Sequence, residues 1–356
     1  MQDAPELFVT NFNPRYTGVS ATAAAVLPEQ IHRFRAVLVG CALPGCPDPI
    51  TRKRALALSR TAPKDRPFAI WHVRRNTEMQ LALIARDLLR LPIRIVFTSA
   101  AQRRHSAFPR WLIGRMDAVI ATTDAAAGFV PGCRAIVPHG VDTVRFCPAT
   151  DRAAAWRATG FPGEYGILTV GRVRPEKGTD LFVKAMIRAL PDLPGAVAVV
   201  AGIAKPADRA FLAGLKAEVA AAGLDDRVIF AGDVPAERMP GLMQASRLLM
   251  ALPRYEGYGV TPIEAMACGV PFIASRTGHF AEFAGPEGGP DQAGAVVAPE
   301  DWRSAADAAL ALLTDLPRHA VISTAARNRA LRLFSVTREA AAIGAVYEDL
   351  WSGRHP

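Results

Sequence analysis

The sequence predicts an α/β protein made of two doubly wound, Rossmann-like parallel-sheet domains that face a cleft. Three observations support this fold class. The 356 residues exceed the roughly 150 residues of one ordinary domain. Short apolar runs alternate with helical patterns, as in parallel sheets that are covered on both faces. The alternation stops over residues 139–166, which are rich in Gly, Pro and turn residues, and then begins again.

The predicted elements follow in order along the chain. The first strands are ELFVTNF, RAVLVGCAL, PFAIWHV, RIVFTSA, DAVIATT and RAIVP, and the first helix follows a turn that contains Gly18. The second series is YGILTVG, AVAVVAG, RVIFAG, RLLMALP and PFIAS, followed by an Ala-rich helical stretch from Asp301. We therefore predict an N-terminal domain over residues 1–145 and a C-terminal domain over 146–356. The last helix, about 336–352, is a candidate to pack back on the N-terminal domain.

The charge of the chain is unevenly distributed. Residues 1–150 hold 20 Lys and Arg against 10 Asp and Glu, and the remainder holds 22 against 23, so the net charge of +9 resides in the N-terminal part. Such an excess suits nucleic acid, an anionic membrane or an acidic substrate, and the competing interpretation is a solvated surface with no partner. We favour the functional interpretation because the excess is confined to one part of the chain.

Other features of composition narrow the class of protein. No apolar run approaches the roughly 20 residues of a membrane span, and the N-terminus lacks the basic and apolar segments of a secretory signal. The five cysteines include no Cys-x-x-Cys pair, so we interpret them as reduced thiols. The expected location is the cytoplasm.

Two loops of the second domain are candidates for chemistry. The loop GRVRPEKGT presents Arg172, Arg174 and Lys177 after a strand and before a helix near Thr179. Cations and free backbone N–H groups at such a point can bind an anion. The alternative interpretation is a solvent-exposed turn without a ligand. This loop alone does not decide between anion binding and such a turn, since it is neither a P-loop nor G-x-G-x-x-G.

The second loop is EGYGVTPIEAMACGVP, with Glu256 and Glu264 on either side of its glycines. Thr261, Pro262 and Glu264 have the spacing of a capping box at a helix start, which gives Glu264 a structural explanation. Glu256 has no such explanation, and sugar hydroxyls would be suitable partners for its carboxylate. A glycosidase pair of carboxylates is the alternative, but a hydrolase has no use for the basic loop.

These motifs together resemble glycosyltransferase family 4, the retaining nucleotide-sugar transferases of GT-B fold. The resemblance rests on GRVRPEKG, VPHGVDTVRF and the Glu, seven residues, Glu spacing of EGYGVTPIEAMACGVP, and it covers nearly the whole chain. The segments WHVRRNTEMQLALIARDLL and VFTSAAQRRHSAFPRWLIGRMDAVIATT are similar to bacterial lipopolysaccharide core mannosyltransferases.

The resemblance implies a role for particular residues. Arg172 and Lys177 would hold the donor diphosphate, Glu256 would contact the donor sugar, and Glu264 would bind the ribose while it caps its helix. The remaining donor contacts would come from Gly18 and from the backbone of Gly257, Tyr258, Gly259, Val260 and Thr261. The implied donor is a nucleotide-sugar, GDP-mannose, and we expect no metal and no other cofactor. The alternatives are a UDP-sugar donor and a non-catalytic sugar-nucleotide or glycan-binding protein of the same fold.

The acceptor is expected on the N-terminal domain. Its positive charge, with Arg74, Arg75, Arg103 and Arg104 after two strand ends, suits the phosphates and carboxylates of a lipopolysaccharide core at the cytoplasmic face of the inner membrane. We therefore expect an anionic glycolipid acceptor, peripheral contact with an anionic membrane and no nucleic acid. His72 and His105 are further acceptor candidates, although a satisfied structural histidine is an equally good explanation for each.

Overall fold

The structure is a computed structural model that describes residues 4–15, 17–100 and 104–354. The chain divides into two compact units. Unit 1 comprises Met1–Gly140 and Phe334–Pro356, and unit 2 comprises Val141–Leu333. The chain therefore leaves unit 1 once and returns to it for its last helix.

The twelve strands of the described residues form two six-stranded sheets. They are β1 (Leu7–Asn11), β2 (Ala36–Gly40), β3 (Ala69–Val73), β4 (Ile93–Ser99), β5 (Ala118–Ala121), β6 (Cys133–Ile136), β7 (Tyr165–Val170), β8 (Ala196–Ala201), β9 (Val228–Gly232), β10 (Ser246–Ala251), β11 (Phe272–Ser275) and β12 (Gly294–Val297). Every pairing of neighbouring strands is parallel.

Helices connect the strands. They are α1 (Gly18–Ile31), α2 (Arg52–Leu58), α3 (Asn76–Leu83), α4 (Ala107–Ile113), α5 (Asp124–Ala127), α6 (Arg152–Thr159), α7 (Thr179–Ala189), α8 (Arg209–Ala221), α9 (Met239–Ala245), α10 (Thr261–Ala267), α11 (Phe280–Ala284), α12 (Trp302–Thr314), α13 (Leu316–Leu333) and α14 (Val336–Trp351). Helix α3 continues into a π-helical segment at Ile84–Leu88, and short 3-10 turns lie at Pro175–Lys177, Leu190–Asp192 and Pro206–Asp208. No helix of the described residues has both the length and the apolar character needed to cross a bilayer.

The sheet of unit 1 has the order β2-β1-β3-β4-β5-β6. Its side chains alternate between two cores, as the period of a strand requires: Leu7 and Val9 of β1 join a core with α1 and α14, whereas Phe8 joins a core with α2, α3 and α4. Both faces are therefore covered by helices. Strand order reverses between β1 and β3, and ligands of such sheets bind beyond the carboxyl ends of the strands at that point.

The sheet of unit 2 has the order β12-β11-β10-β7-β8-β9. Numbered from β7, this is the 3-2-1-4-5-6 order of the Rossmann fold, and the reversal lies between β7 and β10. Helices α7, α8 and α12 contribute to the large core on one face. The predicted fold class of two doubly wound parallel sheets is thus confirmed. One strand was missed, β12, which follows the glycine- and proline-rich loop of residues 285–293.

Candidate active site

The two loops singled out in the second domain follow neighbouring central strands of unit 2. The loop with Arg172 and Lys177 follows β7, and the loop with Glu256 follows β10. Because β7 and β10 flank the point where strand order reverses, both loops lie where an open α/β sheet binds its ligand. The sequence motifs therefore coincide with the position that the topology favours.

Gly178 brings these loops into contact. Its φ is +67°, and a Cβ atom at this position would lie 1.8 Å from the carbonyl oxygen of Leu252 at the end of β10. No side chain fits in this space, so a glycine is required here for steric as well as for conformational reasons. The close approach fixes the position of Lys177 relative to the β10 loop.

Lys177 and Glu256 form an ion pair. Nζ of Lys177 donates to Oε2 of Glu256 at 2.6 Å, and the other carboxylate oxygen accepts from the backbone N–H of Gly257 at 2.8 Å. An ammonium group has three N–H donors, so Lys177 can bind a phosphate oxygen while it holds Glu256. Arg172 is exposed, and among the described residues its guanidinium makes no ion pair, so it is free to bind an anion.

Arg254 is a residue of this site that the sequence reasoning missed. It forms a bidentate pair with Asp180 at 2.8 and 2.7 Å and also donates to the carbonyl oxygen of Pro175. Its own backbone N–H donates to Glu176 O at 3.0 Å. These bonds tie the β10 loop to the β7 loop and to the start of α7. The local signal was present, since Arg254 lies two residues before Glu256.

The glycine loop after Glu256 presents backbone rather than side chains. Tyr258 is buried, and its ring stacks on His279 with 5.3 Å between ring centroids. Gly259 has a φ of +82°, and a Cβ atom there would lie 2.2 Å from the ring of Phe280. The ring packing therefore fixes the path of the backbone from Gly257 to Thr261, which is the segment predicted to line the donor.

The predicted capping box at Thr261 is wrong. Helix α10 has Val260 as its N-cap residue, in helical dihedral angles (φ −74°, ψ −22°), and valine has no side-chain oxygen that could cap the helix. The N–H of Glu264 accordingly donates to the carbonyl oxygen of Val260 at 3.1 Å. Among the described residues the Glu264 carboxylate makes no hydrogen bond, so the structural explanation for this glutamate no longer holds.

Burial raises the pKa of Glu264 to about 7, although the charge of Arg145 opposes the shift. A half-buried carboxyl group without hydrogen-bond partners is costly to ionise. Donor hydroxyl groups of a ligand would stabilise its charged form. The carboxylate does not cap α10, and its contact with the donor stays a prediction.

In unit 1, the carboxyl ends of β1 and β3 are joined by a buried polar network around Glu78. This carboxylate accepts hydrogen bonds from Thr10, Phe12, Arg74 and Arg75, the first three through the hydroxyl or a backbone N–H. Glu78 was not among the predicted residues, because its bonds reach back as far as 68 positions in the chain.

Arg75 is held within this network. Its guanidinium donates to Asn11 at 2.9 Å, to Glu78 at 3.0 Å, to Thr17 at 3.2 Å and to Ser20 at 2.9 Å. Its positive charge is compensated, and it connects the start of α1 to the start of α3. Its surroundings are those of a structural residue.

His72 is completely buried. Its Nε2 bonds Thr98 Oγ1 at 2.7 Å, and its Nδ1 bonds the hydroxyl of Tyr347 on α14, which in turn accepts from Gln30 at 2.9 Å. Burial and the charge of Arg74 hold the pKa of His72 well below 6.5. The ring is therefore neutral at pH 7, with both nitrogens bonded, which matches the structural explanation offered for this histidine.

Arg74 and His105 differ from these neighbours because each has an unpaired buried atom. Nη1 of Arg74 and Nε2 of His105 are buried and make no hydrogen bond with the described residues. Burial lowers the pKa of Arg74, opposed by Tyr347, Glu78 and Glu339. Arg104 is exposed, and Arg103 lies outside the described residues. Of the predicted acceptor residues, Arg74 thus retains a free donor and His105 an unpaired ring nitrogen.

Gly18, the predicted donor contact of the N-terminal domain, is the first residue of α1. It is exposed, and a Cβ atom added to it would meet no protein atom within 4 Å. The glycine lies at the end of the loop after β1, next to the reversal of strand order in unit 1. The space beside it is open to a ligand, and its contact with the donor stays a prediction.

Fold and site together define a glycosyltransferase of GT-B fold. The family model for glycosyl transferases group 1 matches residues 153–329. The chain is 42% identical over 348 residues to the lipopolysaccharide core biosynthesis mannosyltransferase LpsB of Rhizobium meliloti (strain 1021), with 97% of each chain covered. It is 40% identical to LpcC of Rhizobium leguminosarum bv. viciae, which bears the same description, over 97% of this chain and 96% of that one.

The chain therefore belongs to the glycosyl transferases group 1 family. This confirms the resemblance seen in its motifs, and it makes the protein an enzyme. Among solved structures, Anabaena HepE in complex with UDP and glucose matches with a TM-score of 0.77 at 18% identity, covering 96% of this chain and 99% of that one. At this identity the likeness shows the fold alone.

Proposed function

We propose that this enzyme transfers a mannosyl residue from GDP-mannose, with retention of configuration and without a metal ion, to a lipopolysaccharide core or similar anionic glycolipid. The observation that carries the proposal is the 2.6 Å pair of Lys177 and Glu256, formed between the two loops at the reversal of strand order in unit 2. The names of the two relatives support mannose as the sugar and the lipopolysaccharide core as the acceptor.

Each donor-site residue of unit 2 has a role in this proposal. Arg172 and Lys177 bind the diphosphate and stabilise its charge as it leaves. Glu256 accepts hydrogen bonds from hydroxyl groups of the donor sugar, and Glu264 accepts them from the ribose. The backbone of residues 257–261 lines the phosphate and sugar.

Retention follows if the acceptor attacks from the face that the nucleotide leaves. The bond between the anomeric carbon and the diphosphate oxygen breaks, and the acceptor oxygen forms the new glycosidic bond. The acceptor proton passes to an oxygen of the departing diphosphate, so no protein general base is required. The protein contributes positioning and cations, which Lys177 and Arg172 supply.

Two alternatives remain for a direct test. One is a different donor, a UDP-sugar, and the other is a sugar-nucleotide or glycan-binding protein without catalysis. We would measure nucleotide release from GDP-mannose, UDP-glucose and UDP-galactose, with and without a core glycolipid acceptor. We expect the acceptor to stimulate nucleotide release from GDP-mannose and from neither of the two UDP-sugars. Release from a UDP-sugar would overturn the proposed donor, and tight binding without any release would overturn catalysis.

Glu264 gives the donor affinity a predictable pH dependence. If the ionised carboxylate binds the ribose hydroxyls and its pKa is about 7, the competent fraction grows as pH rises from 6 to 8. Donor Kd should therefore fall by about tenfold across this range, because apparent affinity scales with the competent fraction. We would measure Kd by calorimetry at each pH, with Glu264→Gln as the control that lacks the titrating group. A flat profile in the unsubstituted enzyme would contradict this role.

Arg74 is proposed to bind an anionic group of the acceptor. Its Nη1 is buried and makes no hydrogen bond with the described residues, and native buried donors are normally satisfied. A carboxylate or phosphate of the acceptor would satisfy it. Arg74→Gln should raise the acceptor KM by about ten- to a hundredfold, the range expected for a lost charge-assisted hydrogen bond.

A structural role for Arg74 gives a different result. Removing an uncompensated buried charge should leave the melting temperature unchanged or raise it, whereas removing a structural ion pair would lower it. Arg60→Gln, an exposed position of the same unit, is the matched control. A lower melting temperature with an unchanged acceptor KM would reject acceptor binding by Arg74. Comparing an acceptor that lacks carboxylates with one that lacks phosphates shows which of the two groups Arg74 binds.

A further inference from the structure

Five large apolar side chains of unit 1 are exposed on two segments, the π-helical extension of α3 with its C-cap residue, and helix α4. The exposed fractions are 47% for Ile84, 74% for Leu88, 50% for Leu89, 53% for Phe108 and 56% for Trp111. Single exposed apolar residues are common on proteins, but a concentration of them marks an interaction site.

The two segments belong to one surface. Arg115, just after α4, pairs with Asp87 of the π-helical segment at 3.0 Å. The guanidinium of the same Arg115 lies 5.4 Å from the centre of the Trp111 ring, and that ring stacks on Phe108 with 6.2 Å between centroids. Asp87 is adjacent in sequence to Leu88. We call the five apolar residues, together with the ion pair of Arg115 and Asp87, the 84–115 surface.

Three arginines lie on or next to the two segments of the 84–115 surface in the sequence. Arg90, Arg104 and Arg110 are exposed, and none of them forms an ion pair with the described residues. Arg90 also has a φ of +53°, a conformation that glycine adopts at lower cost at the end of a helix. An arginine is present here despite that cost, which fits a use for its charge.

We propose that the 84–115 surface docks the enzyme on an anionic lipid bilayer, an inference that rests on the proposed glycolipid acceptor. Tryptophan and phenylalanine suit the boundary between headgroups and acyl chains, and flanking arginines attract anionic headgroups. A second copy of this chain is a poorer occupant, because a symmetric contact would bring the arginines of both copies together. Of the four arginines first considered for the acceptor, Arg74 and Arg75 lie at the interior network of unit 1 and are not part of this surface, whereas Arg104 is next to it in sequence.

The test uses the full chain and vesicles, and it requires no catalysis. We would measure co-sedimentation with vesicles of phosphatidylcholine and phosphatidylglycerol and with vesicles of phosphatidylcholine alone. Binding to the anionic vesicles is expected to exceed binding to the neutral ones and to weaken with salt. Quenching by brominated lipid should report Trp111, since Trp71, Trp156 and Trp351 are buried and Trp302 packs against the core of unit 2, outside this surface.

Three double variants decide the assignment. Phe108→Ser with Trp111→Ser should lower the vesicle partition coefficient by about tenfold or more, since both rings lose their buried area in the membrane. The matched control is Leu316→Ser with Val321→Ser on α13, whose side chains are 57% and 66% exposed, and it should bind as the parent chain does. Arg104→Gln with Arg110→Gln should remove part of the salt dependence.

Three outcomes would overturn the proposal. They are equal binding by the Phe108 and Trp111 variant, no binding of the parent chain to anionic vesicles, and a dimer in solution that this variant dissociates. If the chain binds vesicles through this surface but releases no nucleotide from any donor, the proposed function fails and the docking surface stands. If a soluble acceptor fragment is mannosylated by a variant that no longer binds vesicles, the two are shown to be separable.

Discussion

Glu256→Gln is expected to lower kcat by about 10²–10³-fold, the magnitude found when one preorganised polar group is removed from a transition-state site. Glutamine keeps the shape of the side chain but not its charge. It therefore loses both the pair with Lys177 at 2.6 Å and the strong acceptor for sugar hydroxyls. Folding should change little, because a partly exposed ion pair contributes about 0–1 kcal/mol to stability.

The measurement separates a chemical effect from a structural one. We would determine kcat, the donor KM and the melting temperature for Glu256→Gln and for Glu264→Gln. The second variant should mainly weaken donor binding, since its carboxylate is assigned to the ribose. Glu176→Gln is the matched control, because Glu176 lies on the neighbouring loop with a side chain 62% exposed. If both site variants only lowered the melting temperature, the two carboxylates would be structural.

The strands and the two site loops could be predicted because their signals are local. Apolar runs rich in β-branched residues, such as those of β7 and β8, can be recognised as strands from their composition. The glycines and charged residues that follow them indicate strand-to-helix loops. Strand β12 could not be found in this way. This strand, Gly294–Val297, is four residues long and continues a glycine-rich loop. Its composition does not indicate a strand, and it is the pairing with β11 that makes it one.

The capping prediction failed because tertiary packing overrode a local pattern. Thr261 and Glu264 have the spacing of a capping box, but Gly259 has a φ of +82° and lies against Phe280. This path brings Val260 into the helical region, so Val260 is the N-cap residue and Thr261 is the first residue of α10 rather than its cap. No local sequence signal specifies the contact with Phe280, which is about twenty residues further along the chain.

Charge counting could not distinguish basic residues that bind ligands from those that hold the fold. Arg74 and Arg75 are adjacent and chemically identical, yet Arg75 makes four hydrogen bonds and Nη1 of Arg74 makes none. The difference arises from distant partners such as Asn11, which lies 64 positions from Arg75. The pair of Lys177 and Glu256 spans 79 positions and was likewise recognisable only as two separate motifs.

Lys177→Met is expected to lower kcat/KM by about 10²–10³-fold, again the scale of one electrostatic group at a site of developing charge. Methionine retains much of the side-chain volume and removes the ammonium group, so the diphosphate loses a cation as the glycosidic bond breaks. Glu256 would also lose its partner. Because the two residues are in contact, the loss in the double variant with Glu256→Gln should be smaller than the product of the single losses.

The same argument predicts that activity does not depend on a divalent ion. Lys177 and exposed Arg172 would neutralise the leaving diphosphate, which is one of the tasks that a metal ion performs in other transferases. Turnover of the parent enzyme should therefore be unchanged by a chelator. We would compare the parent chain with Lys177→Met, with and without chelator and added Mg²⁺, and use Lys184→Met on α7 as the control for loss of a lysine outside the loop. Activity that a chelator abolishes and Mg²⁺ restores would show that Lys177 and Arg172 do not suffice to neutralise the diphosphate. For the double variant of the preceding prediction, fully additive losses would show that Lys177 and Glu256 act independently.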